Sequence, residues 1–305
     1  MSAFLRHAAH RTAAGLIVLP LLAACSTATA PVAPWEARLQ GDAIVLLGEV
    51  HDNPHQHRLR LELLRRAFAA GWRPAIAMEQ LDRERQGDIE RARAERPGDA
   101  QYLIERAAAP AARAGSGWNW DFYRPYIALA LQYGVPLVAA NLSSADAAKV
   151  ARGGLDQVFD AAGLASLGLD RPIAPEWQAA QEREIDLGHC GALPREVWPR
   201  LARAQFARDA VMAQVLRRPQ GRDHGSNGIV LLAGNGHVRR DIGVPRWLGS
   251  EQARIFVVGF LERGNEGAPA AAFDAVLVTE AAPRSDPCEG FKERPRGDGA
   301  AGRGP

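Results

Sequence analysis

Short apolar runs rich in β-branched residues recur along the chain, at residues 43–47, 74–78, 135–140, 229–233, 254–260 and 273–279. Continuous apolar runs of this length suit strands buried on both faces. Amphipathic stretches of helical length lie between the earlier ones. Asp52, Asn53 and Pro54 supply an N-cap and a first-turn proline for a helix over 54–70, which closes on Gly71. A second helix over 121–133 stops at Gly134, and 193–216 reads as a long Ala- and Arg-rich helix. Strands alternating with helices predict an α/β fold with a mainly parallel central sheet flanked by helices. The last two runs are joined by a Gly- and Pro-containing link at 264–269, which predicts an antiparallel hairpin. Residues 81–117 are polar and helical without a strand, and predict a helical insertion or lid.

The two ends read differently from this body, which spans 41–289. Arg6, His7, His10 and Arg11 precede the short apolar stretch Ala13–Ala24, which ends in Leu22-Ala23-Ala24-Cys25. That stretch is too short to span a bilayer, and the pattern resembles a bacterial lipobox, so 1–24 predicts a signal peptide and Cys25 a lipidated first residue. Ser26, rather than an aspartate, points to an outer-membrane lipoprotein facing the periplasm. Residues 25–40 suit a lipid-anchored tether, and the Gly-, Pro- and charge-rich residues 290–305 a disordered tail.

Charge adds little. Lys and Arg number 37 against 35 Asp and Glu, and the two signs are interspersed, so no nucleic-acid partner is expected. Cysteine says more. With Cys25 assigned to the anchor, Cys190 and Cys288 remain, and in an oxidising periplasm they predict a disulfide.

An internal echo carries the candidate chemistry. Ile44-Val45-Leu46-Leu47-Gly48-Glu49-Val50-His51 and Ile229-Val230-Leu231-Leu232-Ala233-Gly234-Asn235-Gly236-His237 are each a strand followed by Gly-x-x-His. A third strand ends in Glu79-Gln80. Ligands of open α/β sheets bind at the carboxyl edge, where these residues should meet. Two imidazoles and one carboxylate (His51, His237 and Glu79) suit a divalent metal such as Zn, Mn or Co. Whichever of Glu49 and Glu79 does not ligate is a candidate general base on a metal-bound water. His55 and His57 follow as ligands for a metal or haem iron, or as solvated first-turn residues. The aromatic cluster at 118–126 could line a flat apolar site, with Tyr123 or Tyr126 reaching iron, or could pack helix against sheet.

Several segments together resemble the ChaN family. They are Leu46-Leu47-Gly48-Glu49-Val50-His51-Asp52-Asn53-Pro54-His55, Ala77-Met78-Glu79-Gln80, Pro136-Leu137-Val138-Ala139-Ala140-Asn141, His189-Cys190-Gly191, residues 204–213 and residues 233–245. ChaN proteins are haem-binding lipoproteins within the wider Tiki, TraB and erythromycin-esterase-like superfamily. The resemblance covers about residues 40–290 and implies an α/β fold with a helical insertion, and haem binding at the envelope in iron or haem acquisition. A haem receptor of the outer membrane and a second copy of the chain are the partners in keeping with it. The superfamily's paired Gly-x-x-His motifs and strand-end glutamate fall on His51, His237 and Glu79, implicated in the Tiki branch in metal-dependent peptidase chemistry. Haem in the ChaN branch is linked to tyrosine, here one of Tyr102, Tyr123, Tyr126 or Tyr133. Arg239 and Arg240 are the candidate partners for haem propionates. Two readings stand side by side: a haem-binding lipoprotein, or a metal-dependent peptidase or esterase using the same rim.

Overall fold

A computed structural model describes residues 33–108, 118–218, 227–264, 267–286 and 288–289. The predicted signal peptide, Cys25 and the tail at 290–305 lie outside the described residues. The chain divides into units 1–33 and 34–305, and the fold is that of the second.

Six strands form one parallel sheet, β1 (Ile44–Leu47), β2 (Ala75–Asp82), β3 (Leu137–Asn141), β4 (Ile229–Leu232), β5 (Ile255–Glu262) and β6 (Ala275–Thr279), in the order β3-β2-β4-β1-β5-β6. The helices are α1 (Pro54–Ala69), α2 (Gln86–Glu95), α3 (Ala100–Ala107), α4 (Trp120–Tyr133), α5 (Ser144–Gly153), α6 (Ala161–Leu167), α7 (Pro175–Gly188), α8 (Trp198–Arg217) and the single turn α9 (Asn235–Val238). The α/β architecture is the expected one, and its strands read as apolar throughout because both faces are covered. Val45, Leu47, Ile76, Met78, Val230 and Leu232 pack with α1 to α4. Their neighbours Ile44, Leu46, Ala75, Ala77, Ile229 and Leu231 pack with Met212, Ala213, Val215 and Leu216 of α8. The two copies of Ile-Val-Leu-Leu lie side by side at the sheet's centre, in register from Ile44↔Ile229 to Leu47↔Leu232.

The sequence reading needs correcting at three places. The final strands are not a hairpin: β6 runs parallel to β5, with Val258 opposite Ala275. Residues 263–274 are long enough to return to the sheet's amino end, since a parallel crossover needs about a dozen residues. Phe273 closes that return by lying on Gly259, where a Cβ would come within 2.7 Å of its ring. The helical insertion begins later than expected, because β2 runs on to Asp82. Its helices α2 and α3 bury Ile89, Ala92, Leu103 and Ile104 in the same core as α1, so they form part of the helical layer rather than a detached lid. Finally, packing starts before residue 41. Trp35 stacks on Phe256 at 5.8 Å, and Glu36 pairs with Arg66, so residues 34–38 belong to the body.

Local signals place the ends of the elements. Asn53 Oδ1 accepts the N–H groups of His55 and Gln56, which fixes the start of α1 beside the β1 loop. Cys190, just past α7, is bridged to Cys288 across a separation of 98 residues, with the Cα atoms 5.6 Å apart. Arg284 braces the same C-terminal segment by pairing with Glu262 and Asp52.

Candidate functional site

The carboxyl ends of β1, β2, β3 and β4 open onto a cavity of about 500 Å³. Its floor is built from strand ends: His51 after β1, Glu79, Gln80 and Asp82 on β2, Asn141 on β3 and His237 after β4. Its walls are Trp118, the aliphatic faces of α5 (Ala147, Ala148, Ala151) and α8 (Leu201, Ala204), Ile185 of α7, His189 and Arg208. Both histidines of the repeated motif thus line one cavity.

Beneath His51 lies a buried ionic cluster that originates in α1. The helix buries Gln56, His57, Arg60, Leu63, Leu64, Ala67 and Phe68, one face at helical spacing. The C-terminal half of that face is apolar and packs on the sheet. The N-terminal half is polar because it meets Glu49, which is 2% exposed. The Arg60 guanidinium, fully buried, binds Glu49 Oε2 and reaches the carbonyls of Leu47 and Gly48 at 3.2 and 3.3 Å. Glu49 Oε1 accepts from the Tyr123 hydroxyl at 2.6 Å and from His51 Nδ1 at 2.7 Å. Burial alone would raise the Glu49 pKa, but Arg60 and the His51 hydrogen bond hold it at about 2. Burial and the Arg60 charge push His57 down to about 4, so this imidazole is neutral and donates Nε2–H to the His51 carbonyl at 2.9 Å.

The sign of the resulting pH dependence follows directly. Glu49 is depressed, so its contribution is present above its ordinary value of 4.5 and is lost as pH falls towards about 2. The shift corresponds to about 3 kcal/mol at neutral pH. Urea midpoints measured from pH 6 to pH 2 should fall along this limb in the native chain and much less in Glu49→Gln. Parallel curves would rule Glu49 out as the source.

On the other side of the cavity His237 donates or shares its Nδ1 proton with Asp209 Oδ1 at 2.6 Å, while its Nε2 lies 3.5 Å from Glu79 Oε1. Burial opposes protonation of His237, but Glu79 and Asp209 together raise its pKa. Glu79 Oε2 accepts the Gly234 N–H at 2.7 Å. At His51 burial likewise opposes protonation, and the hydrogen bond to Glu49 followed by the Glu79 charge overcomes it. The site is therefore two carboxylate–imidazole pairs, Glu49–His51 and Asp209–His237, at the ends of adjacent strands.

This arrangement departs from several expectations. His51, His237 and Glu79 share the cavity but do not form a metal centre, and among the described residues no group of three or more His, Cys, Asp or Glu is placed to hold a metal. Glu79 is turned onto the Gly234 backbone and His237, and His51 Nδ1 is given to Glu49, so the donors do not converge. Glu49, fixed by Arg60 and Tyr123, is no general base. Tyr123 and Tyr126 are fully buried and do not line the cavity. Tyr126 donates to the His57 carbonyl at 2.7 Å. Burial, with Glu49 alongside, pushes the Tyr123 phenol well above its ordinary range, the opposite of what a phenolate ligand needs. His55 stands exposed on the first turn of α1, outside the cavity lining. Arg239 is paired with Glu184 and Asp241. Arg240 binds Asp274 and the Ile255 carbonyl at the amino end of β5, away from the rim. The arginine that does line the cavity is Arg208, held to Asn141 Oδ1 and the Leu142 carbonyl at 2.9 and 3.1 Å. Arg60, Asp209, Gln80 and Arg208 were not among the expected site residues.

Fold and site together define an α/β protein with a histidine-floored cavity at the carboxyl edge of a parallel sheet. The family model for haem-binding uptake, Tiki superfamily, ChaN proteins matches residues 35–248, and the chain belongs to that family. Among solved structures it is similar to one described as cofacial heme binding to ChaN of Campylobacter jejuni, with a TM-score of 0.58 and 20% identity over 78% of this chain and 87% of that one. That likeness shows the shared fold. An erythromycin esterase EreC mutant in its open conformation aligns with a TM-score of 0.41 and 14% identity, over 78% of this chain and 76% of that one. The type III effector HopBA1 aligns with a TM-score of 0.38 and 13% identity, over 79% and 88%. No curated protein sequence matches the chain.

Proposed function

We propose that the protein binds haem in the cavity above His51 and His237 and serves haem or iron acquisition as a lipid-anchored protein of the envelope. The observation that carries the ligand is the cavity itself. Its volume of about 500 Å³ lies within the range of cofactor sites, about 300–1,000 Å³. It sets an aliphatic wall and the Trp118 ring against a floor of nitrogen donors, with Arg208 available to a carboxylate. Gln80, 4% exposed, lines the same cavity, and its Oε1 has no hydrogen-bond partner among the described residues. Buried acceptors are normally satisfied, so this one suits a donor arriving with the ligand or its water. Haem supplies the iron; the chain's own role is to enclose the macrocycle, offer nitrogen to it and pair its propionates. The haem-binding description of the family and the cofacial haem of the Campylobacter jejuni relative support this reading.

Titrating ferric haem into the purified mature chain is expected to give a saturable Soret shift. Ala148→Trp, which fills the cavity from the half-buried face of α5, should weaken binding at least about tenfold with unchanged circular dichroism. Haem that binds without saturation, or equally well to Ala148→Trp, would refute the site. The anchor is a separate proposal, motivated by Leu22-Ala23-Ala24-Cys25. Cys25→Ser is expected to release the protein to the soluble periplasmic fraction or leave the precursor uncleaved. A mature form still bound to membranes would exclude lipidation. A homodimer and an outer-membrane haem receptor follow from the same reading, and sedimentation with and without haem tests the first. The donor set does not fit a metal centre, so no metal-dependent hydrolytic step is derived.

A further inference from the structure

We propose that His51, rather than any tyrosine, supplies the axial ligand to haem iron; the inference rests on the haem reading above. The chain has 4 tyrosines, and none lines the cavity. The hydroxyls of Tyr123 and Tyr126 are buried and committed to Glu49 and the His57 carbonyl. Tyr133 packs on Phe68 at 4.9 Å, and the Tyr102 hydroxyl on α3 is bonded to Glu95. A phenolate could reach iron in this cavity only if the buried core were rearranged.

His51 has what a ligand needs. Its Nδ1 is tied to Glu49 Oε1 at 2.7 Å, leaving Nε2 as the atom free to donate a lone pair. Metal-bound histidines typically give their other ring N–H to a carboxylate, which fixes the tautomer and raises donor strength. Glu49 is itself immobilised by Arg60 and Tyr123, so the imidazole is backed by a rigid anion. Trp118 meets the ring edge-on, with centroids 4.7 Å apart and planes at 88°. The His51 side chain is 44% exposed, whereas that of His237 is 12% exposed with its Nε2 facing Glu79. Gly234 lies against the donor atom, where a Cβ would come within 3.0 Å of Nε2. Absence of a side chain there keeps the approach to His51 open.

The test uses the mature chain loaded with ferric haem, read by absorption and electron paramagnetic resonance. The native protein should show a nitrogen-ligated iron. His51→Ala should lose that signature and weaken haem binding by at least about tenfold, the scale on which even outer-shell losses act. Added imidazole should restore the signature in His51→Ala, and Tyr102→Phe should leave it untouched. Gly234→Ala, which keeps the histidine but crowds its Nε2, should also lose it. A phenolate-type spectrum in the native protein, or a His51→Ala spectrum identical to native, overturns the ligand while leaving the haem reading intact. A native chain that takes up no haem overturns both.

Discussion

Arg60→Met is expected to lower folding stability by about 3–5 kcal/mol, the usual cost of stripping one partner from a buried ion pair. The native guanidinium is fully buried, binds Glu49, bonds two strand-end carbonyls and lies 5.4 Å from the centre of the Tyr126 ring. Methionine fills much of the space but leaves the Glu49 carboxylate without its cation. The loss should appear as a lower urea midpoint at pH 7. Adding Glu49→Gln to Arg60→Met should recover some of it, because the stranded charge is then gone. A single variant as stable as the native chain would show that the cluster contributes nothing.

The same residue explains what the sequence disclosed and what it hid. Strands were legible because burial on both faces leaves uninterrupted apolar runs, and the rim because Gly-x-x-His occurs twice after the same four residues. Arg60 was not, since it sits among many arginines on a helix that looks amphipathic. The available signal was spacing: Gln56, His57 and Arg60 continue the stripe of Leu63, Leu64, Ala67 and Phe68, so polar residues occupy a buried face. Asp209 is the parallel case, buried between Phe206, Ala207, Ala210 and Val211 of α8. A charged residue on the apolar stripe of a helix is the sign of a partner inside. The aromatic cluster misled because Tyr123 and Tyr126 alternate with Trp120 and Phe122 on α4, and composition does not tell which side faces the sheet. Strand direction at the C-terminal end was hidden for a different reason, since a Gly- and Pro-containing link looks the same whether the chain turns back or crosses over.

Removing the Cys190–Cys288 bridge is the other large effect expected. It closes a loop spanning 98 residues. In the chain-entropy model such a loop is worth about 4–5 kcal/mol, with measured gains often smaller. Cys288→Ser and reductant-treated native protein should unfold at the same, lower urea concentration. The loss should also reach the cavity, because Cys190 follows His189 directly and lies just past Ile185, both of which line it. Thiol labelling of the denatured, unreduced chain should find neither cysteine free. Equal stability with and without reductant would leave the bridge without an energetic role.

The two identical strands at the sheet's centre bear on the order in which the chain assembles. β1 and β2 are made early and joined by α1, yet in the finished sheet they are not neighbours, for β4 lies between them. Ile44–Leu47 has the same residues as Ile229–Leu232, so a nascent β2 finds on β1 the same apolar edge that β4 later offers. Non-local pairings form slowly, and a ready substitute for the proper one acts as a decoy. Nothing in the four residues themselves distinguishes decoy from partner; the distinction comes afterwards, from Asn235, whose side chain bonds both the carbonyl and the N–H of Phe260 on β5. The sheet is thus completed by insertion rather than extension, and the arrival of β4 must separate a pair of strands already able to hold each other.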